Sequence, residues 1–143
     1  MQAKNIKYAD SETKLKIISS IRYKRYSKAI EAIESLDSPN VYLTNSRTTA
    51  LMIASRTAST PECLQFIRYL LNNGADINAK NSYGKTALVY AIQHKKIELI
   101  RYLINSGANL TYFGKNGFTL LDFAKLTNNT DVVNVIQKAL TNI

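Results

Sequence analysis

At 143 residues, with 45% hydrophobic and 20% charged side chains, the chain has the length and composition of one ordinary soluble domain with a substantial core. Cys63 is the sole cysteine, which excludes an internal disulfide and suits a reducing, cytoplasmic compartment; no apolar run reaches the length of a membrane span, and the residues before Ala9 lack the apolar stretch of a secretory signal. The net charge of +9 is concentrated in residues 1–28, where eight basic side chains face only Asp10 and Glu12, and this attracts acidic partners without choosing among protein, nucleic acid and anionic lipid.

Residues 1–10 are expected to form a flexible N-terminal segment ahead of a single domain over residues 11–143. Leu15, Ile18 and Ile21, then Ala29, Ile30 and Ile33, fall at helical spacing and predict two helices for a first unit over residues 11–43, with a basic exterior. Arg22-Tyr23-Lys24-Arg25-Tyr26 interleaves cations with aromatic rings at the turn between them. Cations of this kind hold phosphates and tyrosines stack on bases. The plainer reading packs Tyr23 and Tyr26 onto the stack face and leaves the cations in solvent. It is preferred because a terminal helix offers bases little of a platform. Arg22, Lys24, Arg25 and Lys28 are the candidate polyanion site.

The second unit, residues 44–80, is read through the third. Over residues 81–113, Ala87, Leu88, Ala91 and Ile92 keep helical spacing, as do Ile97, Ile100, Leu103 and Ile104, with the polar Gln93-His94-Lys95-Lys96 between them as a tight turn. Asn105-Ser106-Gly107 ends the second helix, Gly107 being free to take positive φ. Upstream, Thr49-Ala50-Leu51 and Ala54 parallel Thr86-Ala87-Leu88 and Ala91 at an offset of 37, whereas residues 67–74 parallel 100–107 at 33. Extra residues therefore lie between the helices of the second unit, where Thr60-Pro61-Glu62 predicts a helix start with Pro61 in its first turn. Downstream, Gly74-Ala75, Gly84, Thr86, Leu88 and Ala91 return as Gly107-Ala108, Gly117, Thr119, Leu121 and Ala124, 33 residues later. The fourth unit, residues 114–143, closes with a helix over residues 131–140 that carries Val132, Val133, Val135, Ile136 and Leu140, with Asn134, Gln137 and Lys138 outward. A fixed period in this range means one supersecondary brick stacked on copies of itself. The expected architecture is all-α, with about four helix-turn-helix repeats: two regular inner units and two divergent caps.

This pattern resembles the ankyrin repeat. Tyr83-Gly84-Lys85-Thr86-Ala87-Leu88, Ala91, the stretch from Ile97 to Ile104, and Gly107-Ala108-Asn109-Leu110 match the family's G-x-T-P-L-H, A-A, L-E-I-V-K-L-L-L and G-A-D-V-N segments in order and spacing. The sequence also departs from the family pattern. Its Pro is replaced by Ala50, Ala87 and Leu120, and its His by Met52, Val89 and Asp122, so the family's Thr–His hydrogen bonds are weakened or lost. The Gly that ends the first helix is Lys95 in the third unit and Asn128 in the fourth, and Arg47 stands where the second unit should have its turn glycine. Asn tolerates a left-handed backbone, whereas Lys is strained there. Asp122, beside Thr119, is expected to cap or hydrogen-bond locally.

No catalytic, cofactor or metal site is expected. His94 is the only histidine and sits in a turn; Cys63 begins a helix without a histidine to pair with, and the two fall short of a tetrahedral metal set. Glu31 and Glu34 at i, i+3 read as a solvated face near Lys28, and Gly114 and Gly117 lack the lysine and setting of a phosphate loop. The resemblance implies a protein-binding function, through loop tips and inner helices that form a concave, mildly basic surface. By position these are Asn45, Ser46, Thr48, Arg56 and Thr57 in the second unit, and Lys80, Ser82, Tyr83, Lys85, Gln93 and His94 in the third. The fourth supplies Tyr112, Phe113, Lys115, Asn116 and Phe118, with Leu126 and Thr127 further along. The expected partner is another protein with an acidic or amphipathic segment, bound by a monomer; nucleic acid or another polyanion at the first unit is the alternative. Richness in Lys, Asn, Ile and Tyr hints at an A/T-rich genome, and a more remote alternative is a host-directed effector of an intracellular bacterium.

Overall fold

The computed structural model describes residues 9–57 and 59–143; most of the segment expected to be flexible, residues 1–8, lies outside them. Ala9 is buried, and Asp10 caps the first helix by accepting from the Thr13 N–H at 2.9 Å. The chain falls into two compact units, Met1–Asp76 and Ile77–Ile143. The described residues contain eight helices and no strand, only an isolated bridge between Phe113 and Thr119.

The first unit holds α1 (Ser11–Arg22), α2 (Tyr26–Glu34), α3 (Ala50–Thr57) and α4 (Pro61–Asn72). Helix α1 packs on α2 and α3, and α4 packs on both α2 and α3, which makes two helix pairs side by side. The extra residues expected between α3 and α4 do not lengthen their connection, which spans three residues as it does between α5 and α6; they extend the helices instead, to 8 and 12 residues against 7 and 9. Thr60 caps α4 by accepting from the Cys63 N–H, and Pro61 sits in the first turn, where a missing N–H costs nothing. Ile17, Ile21, Phe66, Ile67 and Leu70 are fully buried, each such side chain contributing about 1.5–3 kcal/mol.

Two further sequence expectations fail in this unit. The inward face of α1 carries Ile17, Ser20 and Ile21, whereas Leu15 is 66% exposed and Ile18 is only half-buried. Both faces share Ile21, and apolar strength favours Leu15. Packing instead selects the small Ser20, whose carbonyl accepts from the Arg25 N–H at 2.7 Å. Tyr26 does pack inward, stacked on Phe66 with ring centroids 5.2 Å apart, but Tyr23 is 72% exposed. The turn residue Lys24, at φ 58°, reverses the chain between the two tyrosines, so their rings diverge.

The second unit repeats the plan with α5 (Ala87–Gln93), α6 (Ile97–Asn105), α7 (Leu120–Leu126) and α8 (Thr130–Thr141). Helix α5 packs on α6 and α7, and α8 packs on α6 and α7. Thr86 and Thr119 occupy the same place in successive repeats, and each caps its helix by accepting from the N–H three residues on. Asp122 completes a capping box at α7: its carboxylate accepts from the Thr119 N–H and hydroxyl, both at 2.8 Å. The polar side chain at the place of the family histidine thus takes over local hydrogen bonding there. Gly107 ends α6 at φ 94°, and Ala108 N–H then returns to Leu103 O at 3.0 Å.

Candidate partner-binding surface

Two loop tips of the second unit are built before any of their exposed side chains matter. Asn81 is buried and organises the first. Its Oδ1 accepts from the Tyr83 and Lys85 N–H groups, each at 3.0 Å, while its Nδ2 donates to the Tyr90 hydroxyl at 2.8 Å. Gly84 supplies the reversal at φ 73°. The second tip is closed by Gly114 N–H to Phe118 O at 2.8 Å and Gly117 N–H to Gly114 O at 2.9 Å.

The tips are then tied to each other. The Tyr112 hydroxyl donates to Gly84 O, and Lys115 Nζ donates to Ser82 O. Lys80 Nζ lies 5.1 Å from the centre of the Tyr112 ring and reaches Phe113 O at 3.5 Å. Burial pushes the Tyr112 phenol above its ordinary pKa.

Between the tips and α7 lies a hollow of about 270 Å³, lined by Tyr83, Lys85, Tyr112, Lys115, Asn116, Phe118, Phe123 and Leu126 with the Gly114 backbone. The Phe118 and Phe123 rings are 5.6 Å apart, and Tyr112 and Phe123 are 6.1 Å apart. Of the residues expected at a contact surface, the fold therefore brings Tyr83, Lys85, Tyr112, Lys115, Asn116 and Phe118 to one place. Tyr112 is a correction in kind: at 3% exposure it forms the base of the hollow and is no exposed anchor, because its hydroxyl is drawn in by Gly84. Phe113 is 65% exposed but lies outside the lining. Gln93 accepts from Lys85 Nζ at 3.1 Å, and His94 is the exposed C-cap of α5. Phe123 was missed by sequence reasoning. Its spacing of three from Leu126 on α7 was the available signal.

In the first unit Thr48 is buried, and its hydroxyl lies 3.2 Å from that of Ser46, which in turn lies 2.9 Å from Thr44; Asn45 is exposed and Arg56 half-buried. A hydroxyl turned onto its own loop is not available as a contact, and this corrects the expectation for Thr48. Arg22, Lys24, Arg25 and Lys28 are all exposed around the α1–α2 turn, with the Arg25 guanidinium 5.7 Å from the Tyr23 ring centre. No cluster of three or more His, Cys, Asp or Glu able to hold a metal occurs among the described residues. No described helix is long and apolar enough to cross a membrane.

The family model for ankyrin repeats (3 copies) matches residues 21–113 and, overlapping, residues 66–141. Those two stretches take in α2 through α8 and both loop tips. A search of curated proteins returns no match.

Proposed function

As the chain belongs to the ankyrin repeat family, whose members are generally protein–protein interaction modules and typically not enzymes, we propose that it is a non-enzymatic module acting in the cytoplasm on another protein. Its contact surface is the loop tips and inner helices, with the second unit supplying the main hot spot through Tyr83, Phe113, Lys115 and Phe118. The observation that supports this most directly is the convergence of exposed aromatic rings and lysines on two tips held by side-chain hydrogen bonds. Large amphipathic rings in a rigid setting carry most of the energy of protein interfaces. Rigid tips also reduce the ordering cost of binding. Alanine substitution of Tyr83, Phe113 and Lys115 together is expected to abolish capture of the native partner in a pull-down from the source cell. Unchanged capture places the interface elsewhere.

A second reading is supported by the four exposed cations at the α1–α2 turn: binding of nucleic acid or another polyanion. It predicts micromolar affinity, with log K falling against log salt by about 0.9 for each phosphate neutralised on duplex DNA. No gel shift at low salt removes it.

A further inference from the structure

We infer that the hollow of the second unit receives one bulky apolar or aromatic side chain carried on an acidic segment of a partner protein, with carboxylates flanking that side chain meeting Lys85 and Lys115. This rests on the interaction-module reading above and specifies what that surface recognises.

Size comes first. A hollow of about 270 Å³ is below the roughly 300–1,000 Å³ of small-molecule sites and suits a single side chain. Its walls are Phe118, Phe123, Tyr83 and Leu126, and both Tyr83 and Leu126 are 65% exposed in the free protein. An inserted apolar group covers them.

Charge then chooses the segment. Aromatic walls commonly hold a cation, but here Lys80 already lies against the Tyr112 ring, and Lys85 and Lys115 stand in the lining. No acidic side chain among the described residues lines the hollow. A quaternary or methylated ammonium is therefore repelled. A second copy of this chain is disfavoured for the same reason, since residues 77–143 carry eight basic side chains against three acidic ones. Each ammonium has three donors; Lys115 commits one to Ser82 O and Lys85 one to Gln93 Oε1. The remaining donors suit carboxylates, and charge-assisted hydrogen bonds are the stronger kind. A nucleic acid strand would need a groove that follows several phosphates, whereas the lining offers two lysines around one depression.

The probe is a fluorescein-labelled seven-residue peptide of Glu and Asp with one central Trp, followed by fluorescence anisotropy and by amide shifts of the labelled full chain. Saturable binding is expected, with shifts centred on Tyr83, Phe118 and Leu126. Replacing the central Trp by Ala, or the acids by their amides, is expected to weaken binding by at least about tenfold. So are Lys115→Glu and Leu126→Asp; Lys115→Gln is the gentler variant should Lys115→Glu disturb the fold. Equal affinity for the Ala peptide, tighter binding of a trimethyl-lysine peptide or of oligo(dT), or no shift at the hollow each overturns the inference. Those outcomes leave the interaction-module reading standing. The placement of the interface on these tips falls separately, if native-partner capture survives the Tyr83, Phe113 and Lys115 substitutions.

Discussion

Lys24, Arg47, Lys95 and Asn128 hold φ between 52° and 60°, a left-handed backbone that side chains with a Cβ resist. Lys95 sits just past α5, where the chain turns so that Lys96 N–H can reach Ala91 O at 3.0 Å. Left-handed geometry costs a non-glycine residue roughly 1–2 kcal/mol, and glycine gives back about 0.5–1 kcal/mol through greater freedom in the unfolded chain. Lys95→Gly is therefore expected to stabilise the protein by about 0.5–1 kcal/mol, read from urea unfolding. The opposite holds at Gly84, where φ is 73° and an added Cβ would lie 3.1 Å from Lys115 Cγ. Gly84→Ala is expected to cost about 1–2 kcal/mol and to perturb the amide resonances of both tips. Arg47 was legible in the sequence because it stands in register with Gly84 and Gly117, and Lys95 and Asn128 because they stand where the ankyrin pattern has glycine. The burial of Tyr112 was not, because it depends on a carbonyl 28 residues earlier, and a contact between loops leaves no periodicity to read.

At the level of single helices, the caps differ in their chemistry. Thr86 alone caps α5, so Thr86→Ala is expected to cost about 1 kcal/mol by thermal or urea unfolding. Helix α7 adds Asp122, whose carboxyl is held below the usual carboxylate range, first by the Thr119 backbone N–H and then by its hydroxyl. A depressed pKa contributes stability above the unfolded value, here 3.8, and loses it as pH falls through the lower folded value. Asp122→Asn is thus expected to be less stable than the natural chain at pH 7. The gap in urea midpoint should close in acid below about pH 3.8, whereas a gap that stays constant would deny the capping box its role. The existence and pairing of the helices could be read from 3.6-residue spacing. The inward face of α1 could not, because two overlapping apolar stripes share Ile21 and the choice lies with the neighbours α2 and α3, outside the helix itself.

For the molecule as a whole, the repeat made the fold readable: Gly74, Gly84 and Thr86 return 33 residues later as Gly107, Gly117 and Thr119, and within each unit one helix pair packs on the other. Excess positive charge works against compactness through self-repulsion. With +9 overall, the thermal midpoint is expected to rise as salt shortens the screening length from about 30 Å at 0.01 M to about 8 Å at 0.15 M. A midpoint that falls over that range would show favourable charge pairing to outweigh repulsion. The second unit also has an order built into it. Ser82 and Gly84 are anchored by Lys115 and Tyr112, residues made later on the ribosome. The earlier tip, already closed by the bonds of its own Asn81, therefore gains these two anchors during synthesis only after residue 115 has emerged.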